Sequence, residues 1–385
     1  MLVPLNRIQC QILNLFNIGK WEERDDLNPM KRIGKLWPSI VSHDNIVLAA
    51  QLAEANKLGK KGVIRFHEHY EENIKLVQEL LISGNFHTAN YISKRIYEPK
   101  ERIIYILPFF PDRIVQHAVM NLVEPIWEPR FYDKSFSCRK GKGIHKGLLY
   151  TMSLVCRNKY CAKNDLSKFY PSMNHSIAMD FISRKIKDIK VLDIFEDVIY
   201  SIGDETNIPI GNYMSQWIGN LYLNEMDTLI KEKLGIRDYV RYCDDFILFH
   251  NDKERLKYAM EVVDEYVHSV LKMSFSKKEI FQTKQGVDFL GYRMFPDRYI
   301  LLRKSTVKRI KKRTRKLLDL LEEERLELTP SVSGQIFSTL GWLKWANTHN
   351  LYLAYEINRL EEFARVEIAH KRKEMKKLKD IWVKV

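Results

Sequence analysis

Three acidic residues, in two separate parts of the sequence, could carry metal-dependent chemistry. Asp244 and Asp245 are adjacent within the stretch Tyr239 to His250, and Asp165 stands in the run Lys159 to Pro171. Carboxylates are hard oxygen ligands that suit Mg²⁺. Carboxylates that gather two metal ions about 3.5 to 4 Å apart support phosphoryl transfer. Taken alone, these residues leave two alternatives open, an ordinary Asp-Asp turn and a helix-entry cap at Asp165.

Residues of strand-forming type flank both acidic places. Tyr239 to Tyr242 precede the break at Cys243-Asp244-Asp245, and Phe246 to Phe249 follow it, so the pattern predicts a tight β-hairpin. A strand-like run also leads to Asp165. Adjacent acids repel each other and are poor strand formers. Their place between apolar strands therefore favours neutralisation by a cation or a fully solvated turn.

Two glycine-containing segments could bring backbone close to a ligand or to a neighbouring chain segment. Pro209 and Gly211 predict a turn, and the apolar spacing predicts a helix from Ser215 onward. A structural junction between loop and helix is the alternative for this turn. Further on, the run from Asp288 to Phe295 predicts a strand, with Gly291 at a bulge or at a close backbone approach.

Other segments supply positive charge and helical scaffolding. Tyr91 to Leu107 alternates in a way that predicts a two-stranded basic ribbon around Glu98-Pro99-Lys100. Pro111 is expected to open a helix that Pro125 ends. From Lys304 to Lys316, eight of thirteen residues are Lys or Arg and none is acidic. A solvated helical face would normally mix both signs, so phosphate contact is favoured here.

Composition narrows the class of protein. The 385 residues are 45% hydrophobic and 11% aromatic, which indicates a folded globular chain. A net charge of +14 favours a nucleic-acid partner, although a basic ribosomal or structural protein would look similar. The five cysteines form no zinc spacing, which favours a reducing compartment. Without an apolar span or signal pattern, we expect a soluble cytoplasmic protein that does not contact membrane.

The order and spacing of these motifs resemble those of reverse transcriptases. The likeness rests on Asp165, the turn Pro209-Ile210-Gly211, Tyr242 to Asp245, and Phe289 to Tyr292. A closer likeness, nearly end to end, is to the reverse transcriptases of diversity-generating retroelements. The segments that carry it are Tyr97-Glu-Pro-Lys-Glu-Arg, Asp112-Arg-Ile-Val-Gln-His-Ala, Ile208-Pro-Ile-Gly-Asn-Tyr-Met-Ser-Gln, Leu302-Arg-Lys-Ser-Thr-Val-Lys-Arg and Trp345-Ala-Asn-Thr-His-Asn-Leu.

The resemblance implies a mixed α/β (α+β) right-hand polymerase fold with fingers, palm and helical thumb. Residues 1–29 form an N-terminal extension without a counterpart in the family. Residues 30–155 correspond to fingers with N-terminal helices. Residues 156–300 correspond to the palm, which carries the Tyr-Cys-Asp-Asp hairpin and the primer grip. Residues 301–385 correspond to a helical basic thumb and tail.

The resemblance also assigns roles to individual residues. Asp165 and Asp244 match the ligands of two Mg²⁺ ions, for which Mn²⁺ is an alternative, and Asp245 matches a third acidic position. Tyr170 matches the bulky residue that excludes a 2′-hydroxyl. The remaining matches are Lys100 and Arg102 on the triphosphate, Ile210 and Gly211 at the nucleotide, Phe289, Leu290, Gly291 and Tyr292 in the primer grip, and Lys304, Lys308, Arg309, Lys311, Lys312 and Arg313 along the template–primer duplex.

One residue departs from the general pattern of reverse transcriptases. Most have Gln between the Pro and Gly of the middle turn, whereas Ile210 stands there in this chain. An apolar side chain offers no directional bond, so the resemblance implies error-prone cDNA synthesis that misincorporates opposite template adenines. The implied partners are template RNA, cDNA or primer, deoxynucleoside triphosphates (dNTPs) and a small basic accessory variability-determinant protein.

Two other functions remain as alternatives at this point. A group-II-intron-like or phage-defence reverse transcriptase would be expected to carry a maturase or nuclease extension, and the sequence after Phe295 contains no second acidic constellation. A catalytically silent RNA-binding scaffold would keep its activity when Asp244 is replaced.

Overall fold

The computed structural model describes residues 32–97 and 101–382, with side chains described as far as residue 369. Residues 1–29 and Lys100 therefore lie outside the described residues. The helices are α1 (Trp37–Ile40), α2 (His43–Glu54), α3 (Lys61–Glu68), α4 (Tyr70–Ser83), α5 (Ile114–Trp127), α6 (Ile144–Arg157), α7 (Phe169–Ser172), α8 (His175–Ser183), α9 (Ile189–Ile199), α10 (Tyr213–Thr228), α11 (Lys253–Ser269), α12 (Lys304–Glu322), α13 (Pro330–Leu343), α14 (His349–Ala354) and α15 (Ile357–Trp382). The strands are β1 (Ile92–Ile96), β2 (Arg102–Ile106), β3 (Tyr160–Leu166), β4 (Asp238–Tyr242), β5 (Asp245–His250), β6 (Phe275–Gln282), β7 (Val287–Phe289), β8 (Tyr292–Met294) and β9 (Ile300–Leu302).

These elements form two compact units. One contains the described residues up to Gly143 together with Tyr160–Ile280, and the other contains Ile144–Lys159 and the described residues from Phe281 onward.

A four-stranded antiparallel sheet organises the first unit. Its strand order is β4-β5-β3-β6, so β3 and β4 lie on either side of β5. Alternate residues of the central strands, among them Ala162, Phe246 and Leu248, enter the hydrophobic core. Helix α10 packs into the same core with nearly every side buried. The apolar spacing in the sequence predicts a helix with one buried face, whereas this helix is buried on nearly every side.

The basic ribbon forms as predicted. β1 and β2 are antiparallel, and Ile96 is opposite Arg102. Because side chains alternate along a strand, Arg102 and Ile104 share one face of the ribbon and Tyr105 lies on the other. The ribbon is tied to the glycine turn, since the backbone N–H of Tyr105 donates to the carbonyl of Ile210 at 2.7 Å.

Helix α5 differs from the prediction at both ends. Pro111 lies in a separate irregular turn, Phe109–Arg113, and Pro125 lies inside the helix instead of ending it. Pro125 lies in the last turn of the helix, where it leaves one backbone carbonyl without its helical hydrogen bond. Val123 and Trp127, on either side of it, are fully buried. Packing of the last turn therefore outweighs the local preference of proline.

The second unit contains a three-stranded sheet, β7-β8-β9, and the helices α6 and α12 to α15. The predicted single strand from Asp288 to Phe295 is wrong, because a hairpin turn divides it. Leu290 and Gly291 both have positive φ, +53° and +84°, which marks a type I′ turn. The predicted close approach at Gly291 is confirmed, since a Cβ there would lie 2.7 Å from the Trp342 ring.

Helix α12 is amphipathic, as its sequence predicts. Its apolar side includes Ile310 and Leu317, which are buried, and Leu317 joins a core with Leu326, Ile336 and Leu360. No described helix combines the length and apolar composition needed to cross a membrane.

Candidate active site

The two acidic places of the sequence meet in the sheet of the first unit. Asp165, near the end of β3, is directly opposite Asp245, the first residue of β5. Asp244 lies beside them in the two-residue turn that joins β4 to β5. The positive φ in this turn is confined to Cys243, at +56°, which is typical of a type II′ hairpin turn. The fold therefore brings together three carboxylates that the sequence separates by about eighty positions.

Hydrogen bonds from two other strands fix the carboxylate-bearing segments. The backbone N–H of Leu166 donates to the carbonyl of Asp244 at 3.3 Å, which links β3 to the turn. The hydroxyl of Ser276, on β6, donates to the Asp165 carboxylate and, at 3.2 Å, to the carbonyl of the same residue. Asp165 is therefore held through both its side chain and its backbone.

The electrostatics of the site favour a bound cation. Burial raises the pKa of Asp244, and the nearby Asp165 carboxylate raises it further, while the Arg102 guanidinium acts in the opposite direction. A metal ion bound between Asp165 and Asp244, both half-buried, would favour the charged form of Asp244. Arg102, on the ribbon, contributes a favourable charge interaction with Asp244.

The donor set fits a metal whose coordination is completed by substrate. No three His, Cys, Asp or Glu side chains of the described residues gather into a full metal site. Mg²⁺ in phosphoryl-transfer sites takes one or two protein carboxylates and completes its octahedron with substrate phosphates and water. Asp165 and Asp244 could supply such a partial set of ligands.

Tyr170 lies beside the β4–β5 hairpin that carries Asp244 and Asp245. It is the second residue of the short helix α7, and its phenol lies close to Cys243. Burial raises the pKa of this phenol well above its usual value, so the ring stays neutral. Gly219 on α10 makes room for it, because a Cβ at that position would lie 3.2 Å from the Tyr170 hydroxyl.

The turn with Ile210 and Gly211 packs against the ribbon. Gly211 has a φ of +123°, and a Cβ there would overlap the carbonyl oxygen of Tyr105. The same Cβ would lie 3.2 Å from the side chain of Ile104, which shares its ribbon face with Arg102. Glycine is thus required both by the backbone conformation and by the close approach. The turn, Arg102 and the acidic cluster consequently belong to one connected region.

Comparison with known proteins identifies this arrangement. Residues 93–294 match the family model described as "Reverse transcriptase (RNA-dependent DNA polymerase)", which is more than half of the chain. The chain belongs to the reverse transcriptase family. It is therefore an RNA-directed DNA polymerase with a right-hand fold, and its substrates are an RNA template and nucleotides. Members of this family generally use divalent metal ions.

Several named relatives are similar to this reverse transcriptase at low identity. Protein YkfC of Escherichia coli K12 is 24% identical, over 73% of this chain and 87% of its own length. The group II intron-encoded protein LtrA of Lactococcus lactis is 23% identical over 63% of this chain, and the match spans only 53% of LtrA. The retron Ec73 reverse transcriptase of E. coli is 24% identical over 57% of this chain and 70% of its own.

The second unit of the reverse transcriptase contains the other residues that the sequence singled out. Phe289 and Tyr292 are fully buried, so only Leu290 and Gly291, at the tip of the β7–β8 hairpin, remain available for contact with a primer. The hydroxyl of Tyr292 donates to the carbonyl of Trp342 at 3.2 Å. Lysines and arginines cover the solvent side of α12, with Lys304, Lys308, Arg309 and Lys312 exposed and Lys311 and Arg313 half-buried.

Sequence reasoning missed the residues that support the β4–β5 hairpin of this reverse transcriptase. Asp227, at the end of α10, forms a fully buried ion pair with Arg241 of β4 at 2.6 Å. A signal for this pair exists in the sequence, because Arg241 interrupts an apolar strand and a buried guanidinium requires an acidic partner. Ser276 gave no signal, since a hydroxyl at the start of an exposed strand is unremarkable.

Proposed function

We propose that this reverse transcriptase makes error-prone, adenine-mutagenic cDNA from a template RNA in a diversity-generating retroelement. The observation that carries the proposal is Ile210, an apolar residue in a turn that packs against the nucleotide-facing ribbon. Ile210 is half-buried, and its carbonyl is bonded to Tyr105 of β2. Its backbone thus fixes the turn while its side chain offers neither donor nor acceptor.

The chemistry follows from the acidic cluster. In the proposed site, Asp165 and Asp244 hold Mg²⁺, with Mn²⁺ as an alternative, and Asp245 supports them as the third acid. When bound, the metal lowers the pKa of the primer 3′-hydroxyl and stabilises the charge on the leaving pyrophosphate. Arg102 and Lys100 neutralise the triphosphate. Tyr170 fills the space that a ribonucleotide's 2′-hydroxyl would need, so deoxynucleotides are selected by exclusion.

Error-prone synthesis follows from what Ile210 lacks. A hydrogen-bonding side chain at this position would help to hold a correctly paired nucleotide, and an isoleucine leaves the nascent pair to be selected by shape and stacking. A missing contact of this kind weakens discrimination by about 1 to 3 kcal/mol. That range corresponds to a rise in misincorporation of roughly five- to more than a hundredfold.

Selection of the template RNA needs a partner protein in addition to this chain. The basic side of α12, with Lys304, Lys308 and Lys312 among its exposed charges, suits phosphate contacts along the template–primer duplex. The tip of the primer grip, Leu290 and Gly291, suits the primer terminus. Phosphate contacts carry little sequence information. A small basic accessory variability-determinant protein is therefore proposed to direct the enzyme to its own template RNA.

A reverse transcriptase of group-II-intron or retron type is the second candidate. It is favoured by the similarity to LtrA and to the retron Ec73 enzyme. The two candidates differ in fidelity, because only the retroelement function requires errors concentrated at template adenines.

The test measures single-nucleotide misincorporation on four RNA templates that differ only at the templating base. We expect errors to concentrate opposite adenine, and Ile210→Gln to lower them about tenfold while errors opposite other bases change less. Ile210→Leu is the matched control, because it keeps an apolar side chain of equal size and should keep the error pattern. A wild-type enzyme equally accurate on all four bases would refute the retroelement function and leave the polymerase function standing.

A further inference from the structure

A fully buried charge lies beneath the catalytic hairpin. Arg241, the next-to-last residue of β4, has a relative exposure of 0%, and its partner Asp227 has 1%. Arginine does not lose its proton in proteins, so its burial requires both a counter-charge and acceptors for its N–H groups. An apolar side chain would fill this place at lower cost. The hydrogen bonds of Arg241 show what the charge contributes.

The guanidinium divides its bonds between the core and the turn. Its Nε donates to Asp227 Oδ1 at 2.8 Å, and one Nη donates to Oδ2 of the same carboxylate at 2.6 Å. The other Nη donates at 3.2 Å to Asn220 Oδ1 and at 3.2 Å to the backbone carbonyl of Cys243. The Tyr239 hydroxyl adds a bond of 2.7 Å to Asp227. One edge of the guanidinium is therefore held by Asp227, and the other edge donates to the turn that carries Asp244.

Helix and strand periodicity make this arrangement specific. Asn220 and Asp227 are seven residues apart on α10, so they lie on one helix face. Tyr239 and Arg241 are two residues apart on β4 and point to the same side of the sheet. Two acceptors of the helix thus meet two donors of the strand, and the register of β4 against α10 is set by polar bonds.

The contact with Cys243 constrains Asp244 in particular. The carbonyl of Cys243 and the N–H of Asp244 belong to one planar peptide group, so the Arg241 bond fixes the plane before Asp244. The peptide after Asp244 is fixed by the bond from Leu166 N–H to its carbonyl, at 3.3 Å. The Cα of Asp244 therefore lies between two peptide planes, each of which is fixed by a hydrogen bond. Cys243 also has a φ of +56°, which a non-glycine residue keeps only when its surroundings enforce it.

We propose that Arg241 is a positioning residue, which, anchored on Asp227, holds the Cys243–Asp244 peptide so that the Asp244 carboxylate meets Asp165 at the distance a shared metal requires. The inference rests on the proposed role of Asp244 as a metal ligand. It predicts that loss of the Arg241 bond weakens metal binding and turnover without weakening nucleotide binding to the same extent.

The test uses the full chain bound to primer–template and a non-hydrolysable deoxynucleotide analogue. Mn²⁺ is the probe, and the metal concentration that half-saturates the complex is measured by electron paramagnetic resonance. Primer extension gives kcat and the KM for dNTP, and thermal unfolding gives the melting temperature. Arg241→Lys keeps the charge but loses the fork. The triple variant Tyr239→Phe/Asp227→Leu/Arg241→Met replaces the ion pair and the Tyr239 hydroxyl by apolar groups, a change that commonly preserves stability.

Both variants are expected to raise the half-saturating Mn²⁺ concentration and to lower kcat by about ten- to a hundredfold, as supporting residues of metal ligands do. The KM for dNTP should change by less than about threefold, because Arg241 does not touch the nucleotide. Arg139→Lys is the matched control. Arg139 is also a buried arginine in a bidentate ion pair, with Glu128, but its other bonds run to the carbonyls of Tyr132 and Ser135. It should lower the melting temperature without moving the Mn²⁺ response.

A folded triple variant with the wild-type Mn²⁺ response would overturn the proposal, and if that variant does not fold, an unchanged response in Arg241→Lys would do so. An equal shift in Arg139→Lys would also overturn it, by tracing the effect to general loss of packing. Failure of the proposed role of Asp244 would be recognised separately, because Asp244→Ala would then extend primers at the wild-type rate.

Discussion

The two tight hairpins of this protein differ in what supports them. The β4–β5 hairpin has a type II′ turn that carries Asp244. The buried side chain of Arg241 donates a hydrogen bond to the carbonyl of Cys243 in this turn. The β7–β8 hairpin has a type I′ turn, Leu290-Gly291. It is supported by aromatic packing, since Tyr292 and Trp342 lie with ring centroids 5.2 Å apart and Gly291 is close to the same indole.

The difference in support follows from the chemical groups at the tip of each hairpin. A carboxylate must stay within a fraction of an ångström of its working position, and directional hydrogen bonds to the backbone restrict a turn more tightly than apolar contacts do. The β7–β8 tip presents only backbone and the apolar side chain of Leu290, so packing against the Trp342 ring is enough to support it. The two hairpins should therefore respond differently to substitution, one in catalysis and the other in stability.

The largest effect is expected from the acids of the catalytic hairpin and its neighbour strand. Asp165→Ala or Asp244→Ala should reduce Mg²⁺-dependent primer extension by about a thousandfold or more, because each removes a proposed metal ligand worth several kcal/mol of transition-state stabilisation. Binding of RNA should stay nearly unchanged, since phosphate contacts supply the affinity. Extension assays and a filter-binding titration would measure both. Near-wild-type synthesis in either variant would exclude this site.

An intermediate effect on stability is expected at the other hairpin. Gly291→Ala places a Cβ 2.7 Å from the Trp342 ring at a residue whose φ is +84°. It should destabilise the second unit by about 1 to 3 kcal/mol, measured by urea unfolding.

Gly334→Ala provides the matched control for Gly291. Gly334 lies within α13 of the same unit, and a Cβ there meets no atom within 4 Å. Alanine should stabilise that helix by roughly 0.5 to 1 kcal/mol. Equal effects of the two substitutions would mean that the aromatic support of the hairpin contributes nothing.

A smaller effect is expected from Tyr170, which lies beside the β4–β5 hairpin. Tyr170→Ala should raise ribonucleotide incorporation by roughly ten- to a hundredfold, because selection by bulk is lost. Tyr170→Phe should keep that selection, because it retains the aromatic ring. Competing ribonucleotide and deoxynucleotide substrates in single-nucleotide extension would measure the ratio. If Tyr170→Ala still rejected ribonucleotides as the wild type does, Tyr170 would have no place beside the sugar.

The local part of the fold was accessible from the sequence. The hairpin around Asp244, the basic ribbon and the amphipathic helix α12 each have a periodicity or a break that lies within about twenty residues. The acids Asp165, Asp244 and Asp245 were chosen by type and order, and the structure places them side by side. Short-range patterning sufficed because each of these features is stabilised mainly by its own neighbours.

Other features depend on contacts that no local pattern contains. The pairing of β3 with β5, the partnership of Arg241 with Asp227 and the space that Gly219 leaves for Tyr170 all join distant segments. The sequence predicts Gly291 within a strand because Leu290 stands where a two-residue turn usually has Asn, Asp or Gly. Pro125 was expected to end α5, and buried packing around it decided otherwise.

The pairing of Asp165 with Asp245 also sets where this chain can change in length. Side chains alternate between the faces of a sheet, so one residue inserted into β3 ahead of Asp165 would turn the carboxylate to the opposite face. A single added codon within β3 or β5 should therefore abolish synthesis.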